Sequence, residues 1–292
     1  MATKTARLRA LLKKPGLLSA VGVWDAIGAK LVEQAGFPIV YAGGHAMAAS
    51  YGYPDIGLVT MTEMVDRART IAAAVDSPVI CDADTGYGNI LNARRAVREF
   101  ERAGVAGIHI EDQSFPKRCG SYAGKSVISK EEMAAKIAAA ADARTDPDFL
   151  IIARTDAIDI EGLDATIDRA LAYQAAGADA VMPDNGKSFG LAQMKRFCRS
   201  LDAPAIMLVL ETDWWVRGHR VWGAKEAKRC GYKMAIYPLS LLYSALRNMQ
   251  EAIAVIKKTG TTQSLLGKMF DSSQLGNLLG LPKIHKIEER FK

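Results

Sequence analysis

The chain has 292 residues, 49% of them hydrophobic and 24% charged, with a formal net charge of +6 at pH 7. That is enough for one large domain with a sizeable core, and no apolar run approaches the roughly 20 residues that cross a bilayer, which excludes a helical membrane protein. The positive charges are scattered and no basic stripe is interleaved with aromatics, which argues against nucleic acid and leaves an anionic small substrate to account for the excess.

The N-terminal stretch MATKTARLRALLKKPG is basic, with Leu8, Leu11 and Leu12 at helical spacing. It lacks the apolar core and small-residue cleavage site of a secretory signal, so a short amphipathic helix on a cytoplasmic protein is expected. Short β-rich apolar runs then alternate with longer Ala-rich helical patterns. The strand candidates are LSAVGVW, PIVYAGG, PVICDAD, GIHIEDQ, FLIIARTD, DAVMPD, AIMLVLE and KMAIYPLS. Between them lie patterns such as ILNARRAVREFERAG and LDATIDRALAYQAAG, each ending in the glycine of a helix C-cap. Eight such units predict an α/β fold, a (β/α)8 TIM barrel rather than a doubly wound sheet. The GxGxxG of a dinucleotide fold is missing from YAGGHAMAAS, and no P-loop occurs. No Pro/Ser-rich linker divides the chain, so residues 1–292 are expected to form a single barrel domain, with residues from about 241 supplying C-terminal helices for subunit contacts.

Barrel enzymes carry their chemistry at the C-terminal ends of the strands, and the polar residues fall there. Asp82 and Asp84 close the third strand, His109, Glu111 and Asp112 lie on or end the fourth, and Arg154 and Asp156 end the fifth. Asp184 ends the sixth and Glu211 the seventh. Alternate residues of a strand share a face, so Asp82 and Asp84 are expected to converge, as are His109 and Glu111. Carboxylates gathered from neighbouring strands suit Mg2+, and Arg154 offers a bidentate fork to a substrate carboxylate. The competing account is a rim of structural salt bridges. The glycines of CDADTGYGN suit a tight loop against a ligand.

PKRCGS sets Lys117 and Arg118 beside Cys119, two cations that favour the thiolate. Alone, the hexapeptide does not separate a catalytic thiol from a surface cysteine. Cys81, Cys198 and Cys230 are expected to be core or inert helix positions, and no CxxC pair or zinc-type histidine spacing occurs. His45 follows two glycines in a βα loop, and Trp214 and Trp215 follow the seventh strand, where they are placed as pocket walls.

DADTGYGN, GIHIEDQSFPKRCG, IIARTDA and YPLS, in this order, resemble the isocitrate lyase/phosphoenolpyruvate mutase superfamily over roughly residues 8–260. The branch most nearly matched holds methylisocitrate lyase, 2,3-dimethylmalate lyase and carboxyphosphonoenolpyruvate mutase. The resemblance implies a barrel whose last helix swaps between paired subunits of a homotetramer. It implies Mg2+, with Mn2+ as a substitute, bound mainly by Asp82, with Asp84 and Glu111 acting directly or through water and Asp55 joining this shell. Tyr41, Gly43 and Gly44 would hold the oxo-acid end of the substrate, and Arg154 its carboxylate or alkoxide. His109, Asp184, Ser121 and Trp214 complete the expected substrate site.

The KRCG loop would close over that site and exclude water. Cys119 would protonate the enolate left by retro-aldol cleavage, tuned by Lys117 and Arg118, and Tyr41 or a metal-linked carboxylate such as Glu111 would take the hydroxyl proton. The expected activity is cleavage of a substituted 2-hydroxy (di)carboxylic acid to a 2-oxo acid such as pyruvate. Its alternatives are a carboxyphosphonoenolpyruvate-type phosphonomutase and an oxaloacetate decarboxylase. Four positions depart from the family pattern. Ser121 stands where KRCGH is usual, the serine before the paired glycines is replaced around Ala42 and Gly43, Asp184 stands where a glutamate ends the sixth strand, and Leu208 where an asparagine is frequent. Leu208 makes the distal pocket less polar, which favours an alkyl-substituted malate over a tricarboxylate.

Overall fold

Each of the eight apolar runs contains a strand in the computed structural model: β1 Leu18–Val23, β2 Ile39–Ala42, β3 Val79–Asp82, β4 Gly107–Glu111, β5 Leu150–Thr155, β6 Ala180–Pro183, β7 Ile206–Leu208 and β8 Met234–Tyr237. The structure describes residues 2–120, 122–184, 190–210, 216, 218 and 221–292. All strand pairs are parallel, in the order β6-β5-β4-β3-β2-β1-β8-β7. A parallel bridge between Val181 and Ala205 joins the two ends and closes the barrel.

Parallel strands covered on both faces read as unbroken apolar runs rather than alternating ones, and every residue of β2 through β7 is buried. One face of these strands (Ile39, Tyr41, Ile80, Ile152, Met182) fills the barrel interior. Leu8 joins that interior layer from the N-terminal helix Lys4–Lys13, which is the use of its apolar spacing. The other face, with Val40, Cys81 and Ile108, packs against the outer helices. The predicted helices form with the expected stops. Ile90–Arg102 starts on an Asn89 cap and is followed by Gly104 at φ +82°, and Leu163–Ala175 is followed by Gly177 at φ +105°.

Past the barrel, helix Ser240–Thr259 leads to a 3-10 turn at Gln263–Lys268 and to helices Ser272–Leu278 and Leu281–Arg290. No described helix is long and apolar enough to cross a membrane. Register then positions the chemistry: Asp82 pairs with His109 and Glu111 with Arg154 across neighbouring strands.

Candidate active site

Asp82, Glu111 and Arg154 reach the barrel mouth because each stands at or next to the C-terminal end of its strand. Asp84 arrives differently. It lies past β3 with φ +46°, and its N–H donates to Asp82 Oδ1 at 2.9 Å. The expected convergence of Asp82 and Asp84 is therefore made by a tight turn, not by strand alternation. Asp82 Oδ2 accepts from the Gly44 N–H at 3.2 Å, and Asp82 Oδ1 lies 3.6 Å from His109 Nε2.

Burial alone would raise the Asp82 carboxyl, but His109, Lys117 and Arg154 bring it down to about 2. Burial pushes Asp84 up to about 6, against Lys117 and with Asp82 and Asp55, and it pushes Glu111 well up. Burial penalises these two charged carboxylates more than the local cations repay. Glu111 Oε1 is buried with no hydrogen-bond partner. An all-oxygen donor set that leaves Glu111 Oε1 orphaned fits a hard divalent cation, which Asp82, Asp84 and Glu111 would hold.

The loop after β4 folds back as a flap, tied by a Gln113–Val127 bridge and by the Ser114 N–H donating to the Ser126 carbonyl at 2.9 Å. Lys117 is 3% exposed and sets Nζ 2.5 Å from Asp55 Oδ1 and 2.7 Å from Asp84 Oδ1. Burial opposes its charge, yet Asp84, Glu111, Asp55 and Asp82 hold the ammonium well above the lysine range. The Cys119 N–H donates to the Asp55 carbonyl at 2.9 Å, and Cys119 Sγ lies 3.2 Å from His45 Nδ1. Across the mouth, Lys125 Nζ lies 2.5 Å from Asp184 Oδ2 and 3.5 Å from Asp156 Oδ1. Lys117, Cys119, Asp55 and Asp184 all line one small cleft at the barrel mouth. Cys119, Asp82 and Arg154 line one part of it and Leu208 and Leu210 another.

This fold and this rim can be set beside known proteins. Residues 8–257 match the family model described as phosphoenolpyruvate phosphomutase. The chain belongs to that family. Its sequence is 41% identical to 2,3-dimethylmalate lyase of Eubacterium barkeri, over 98% of this chain and 97% of the relative. It is 41% identical to the probable 2-methylisocitrate lyase 1 of Corynebacterium glutamicum, over 93% of this chain and 87% of that one. Among solved structures, a 2,3-dimethylmalate lyase, itself described as a PEP mutase/isocitrate lyase superfamily member, superposes with a TM-score of 0.89 at 33% identity, covering 99% of this chain and 96% of that one. A phosphonopyruvate hydrolase complex with oxalate and Mg++ superposes at 0.88 and 30% identity, covering 99% of each chain. The superfamily resemblance drawn from the motifs therefore holds.

Within this phosphomutase-family barrel several expected roles need revision. The fork of Arg154 is not open to a substrate: Nε and Nη2 each bond Asp156 at 2.9 Å, and Nη1 lies 3.3 Å from Glu111 Oε2. Arg154 nonetheless lines the cleft. The Gly43 and Gly44 N–H groups are also engaged, by the Val23 carbonyl at 3.4 Å and by Asp82. What the site requires there is the missing side chain, since a Cβ on Gly44 would sit 2.6 Å from Asp82 Oδ2.

His109 is fully buried behind Tyr41, with Nε2 2.8 Å from the Tyr41 hydroxyl, so it orients Tyr41 rather than lining the cleft. Burial, and then the charge of Asp82, push the Tyr41 phenol well up, so a tyrosinate base is disfavoured and a carboxylate is the better candidate. Arg118 is exposed and does not line the cleft. Its backbone N–H and carbonyl are clamped by Gln113 at 2.9 and 2.8 Å, which turns it outward.

Asp55 pairs with Lys117, which also pairs with Asp84, and lies 3.8 Å from His45, so it fastens the loop beside the carboxylate cluster. His45, Asp55 and Cys119 do bring donor atoms within 4.8 Å of one another, but imidazole and thiol are poor Mg2+ ligands. Ser121, Trp214, Trp215, Glu211 and His219 lie outside the described residues. Lys125, Gln113 and Asp156 were not singled out as site residues by the sequence. A lysine just after a Gly-containing loop gives no hint of the carboxylate it will meet two strands away.

Proposed function

We propose that this protein is a divalent-metal-dependent carbon–carbon lyase that cleaves an alkyl-substituted 2-hydroxy dicarboxylic acid, of the 2,3-dimethylmalate or methylisocitrate type, to a 2-oxo acid such as pyruvate and a carboxylic acid. One observation carries this. Cys119, on the loop that folds back over the barrel mouth, lines the same cleft as Asp82, Arg154, Leu208 and Leu210. The named lyases among its relatives and the Mg++ complex among its structural neighbours support the metal and the reaction type.

Asp82, Asp84 and Glu111 would hold Mg2+, or Mn2+ in its place. When bound, that ion polarises the 2-oxo acid oxygens and offsets the negative charge that builds there. The protein's own residues do the rest. Arg154 and the Lys117 ammonium favour an anion at the mouth. A carboxylate beside Arg154 accepts the hydroxyl proton as the C–C bond breaks and the carbonyl forms. Cys119 gives its thiol proton to the carbon left behind, and the loop over the cleft keeps water from competing.

The deciding experiment is a lactate-dehydrogenase-coupled pyruvate assay on 2,3-dimethylmalate, methylisocitrate, isocitrate, citramalate and oxaloacetate, with Mg2+ and then with EDTA, for wild type and Cys119→Ser. Metal-dependent pyruvate from an alkylmalate that collapses in Cys119→Ser supports the lyase. Release only from oxaloacetate, unchanged by the substitution, makes it a decarboxylase and overturns the proposal. Silence across the panel overturns an alkylmalate substrate and points to the phosphonate branch or to a cleavage whose 2-oxo product is not pyruvate.

We also propose a cytoplasmic homotetramer. Ile253, Phe270 and Phe291 on the C-terminal segment are 65%, 57% and 81% exposed within one chain, an apolar surface that a second copy would cover by exchanging its last helices. Sedimentation that gives a monomer at micromolar concentration would refute the assembly.

A further inference from the structure

Resting on the assignment of Cys119 as the acid, we propose that His45 is a positioning residue that aims the Cys119 thiol and returns the proton the thiol spends. An acid that protonates a carbanion ends each turnover as a thiolate and has to be reloaded. The nearby groups are poorly suited to that task. Lys117 is committed to Asp55 and Asp84, Arg118 faces outward, and Tyr41 is turned to His109.

His45 meets the requirement by geometry. Its Nδ1 lies 3.2 Å from Cys119 Sγ and 3.8 Å from Asp55 Oδ2, while the Asp55 carbonyl accepts from the Cys119 backbone N–H at 2.9 Å. One aspartate therefore fixes the loop on which the thiol rides and faces the imidazole that touches it. The ring is held edge-on by Tyr122 of the loop and Tyr243 of helix Ser240–Thr259, each with centroids 6.4 Å away. Three segments of the chain thus lock one imidazole. Its side chain is 21% exposed, so it spans the cleft and the solvent. Imidazole is the side chain that both gives and takes a proton near neutral pH.

The proton balance closes. The Cys119 S–H bond breaks as the C–H bond of the leaving carboxylic acid forms. The thiolate then takes the Nδ1 proton of the His45 imidazolium, which leaves a neutral ring, and solvent recharges that ring with the equivalent of the hydroxyl proton that the carboxylate base releases.

The test uses the full chain with Mg2+ and the substrate identified by the pyruvate panel, comparing His45→Asn, His45→Ala and Cys119→Ser. Asn keeps a hydrogen-bonding nitrogen near the Nδ1 position but carries no proton, so kcat of His45→Asn is expected to fall about 10²-fold, as for loss of a general acid. KM should stay within about twofold of wild type, because the ground-state contacts to substrate are intact. Free imidazole in the buffer should restore part of the His45→Ala rate and none of the Cys119→Ser rate. A His45→Asn enzyme with wild-type kcat overturns the proton return, whatever the alanine variant does to folding. If Cys119→Ser retains lyase activity, the assignment of the acid fails and this inference goes with it. If Cys119→Ser is inactive while both His45 variants are fully active, only this inference fails.

Discussion

Lys125 and Asp184 join the loop after β4 to the end of β6, with Nζ 2.5 Å from Oδ2. Both side chains are buried, at 7% and 2% exposure, and burial of Lys125 is outweighed by Asp184 and Asp156, which raise its ammonium above the ordinary range. The pair fastens the stretch that carries Cys119 across the barrel mouth. Lys125→Met is expected to lower kcat about 10- to 100-fold by misplacing that stretch and to speed alkylation of Cys119 by iodoacetamide. Alkylation at the wild-type rate in the variant would show that the pair does not hold the loop.

The same carboxylate packs against the loop's backbone. A Cβ on Gly120 would sit 2.7 Å from Asp184 Oδ1, tighter than real contacts allow. Gly120→Ala is therefore expected to lift the residue next to Cys119 and cost kcat at least about 10-fold, with little change in unfolding midpoint because the barrel core is untouched. A variant at wild-type kcat would mean the loop closes without this close approach.

Much of this was legible in the sequence, and the reason is physical. Strands buried on both faces have to be apolar along their whole length, so all eight announced themselves, and their polar termini marked the mouth. His109 and Glu111 alternate on β4, and Arg154 stands beside Glu111 in register, a relation fixed by strand order alone. What periodicity does not encode is how loops return. Asp84 reaches the cluster through a positive-φ turn, Lys125 through a flap, and His45 meets Cys119 from a different βα unit. Asp156, two residues beyond Arg154, was visible too, but not that it turns back onto the guanidinium.

A second buried network supports that fork from below. Asp112 Oδ1 accepts from the Asp156 N–H at 2.9 Å, and Oδ2 accepts from the Tyr173 hydroxyl at 2.8 Å. Tyr173→Phe removes one donor from a fully buried carboxylate. It should destabilise the fold by about 1–3 kcal/mol in urea unfolding and leave KM nearly unchanged. A loss under about 0.5 kcal/mol would mean Arg169, 3.4 Å away, already satisfies that oxygen.

His109 makes stability depend on pH in a window that can be isolated. Burial lowers its folded value from 6.5 to about 4, with Asp82 opposing. The native state thus keeps the imidazole neutral while the unfolded chain takes up a proton. The stabilisation is fully present above about pH 6.5 and is lost as pH falls toward 4, by about 3 kcal/mol at 1.36 kcal/mol per unit. His109→Gln removes this dependence. The rises of Asp84 and Asp112 to about 6 act in the opposite direction in both proteins and largely cancel in the difference. Urea unfolding in EDTA from pH 4 to 7 is expected to show the wild-type advantage shrinking as pH falls. A constant difference would mean His109 titrates alike in the folded and unfolded chain.

Metal binding should register as stability before it registers as turnover. Binding to the native state alone adds RT ln(1 + [L]/Kd), about 2.7 kcal/mol at 100 times Kd. Mg2+ should therefore raise the unfolding midpoint of the EDTA-treated protein in a concentration-dependent way. Asp82→Asn should abolish the rise, because the carboxylate that remains ionised most readily is gone. Glu111→Gln should weaken it, since the orphaned Oε1 is the atom a cation would satisfy, and a neutral amide carries less charge to the same place. The metal-free Glu111→Gln protein should meanwhile be about as stable as wild type or more so, because burial already disfavours its charge. A Mg2+ response that survives both substitutions would place the ion elsewhere and leave the cluster as a salt-bridge rim.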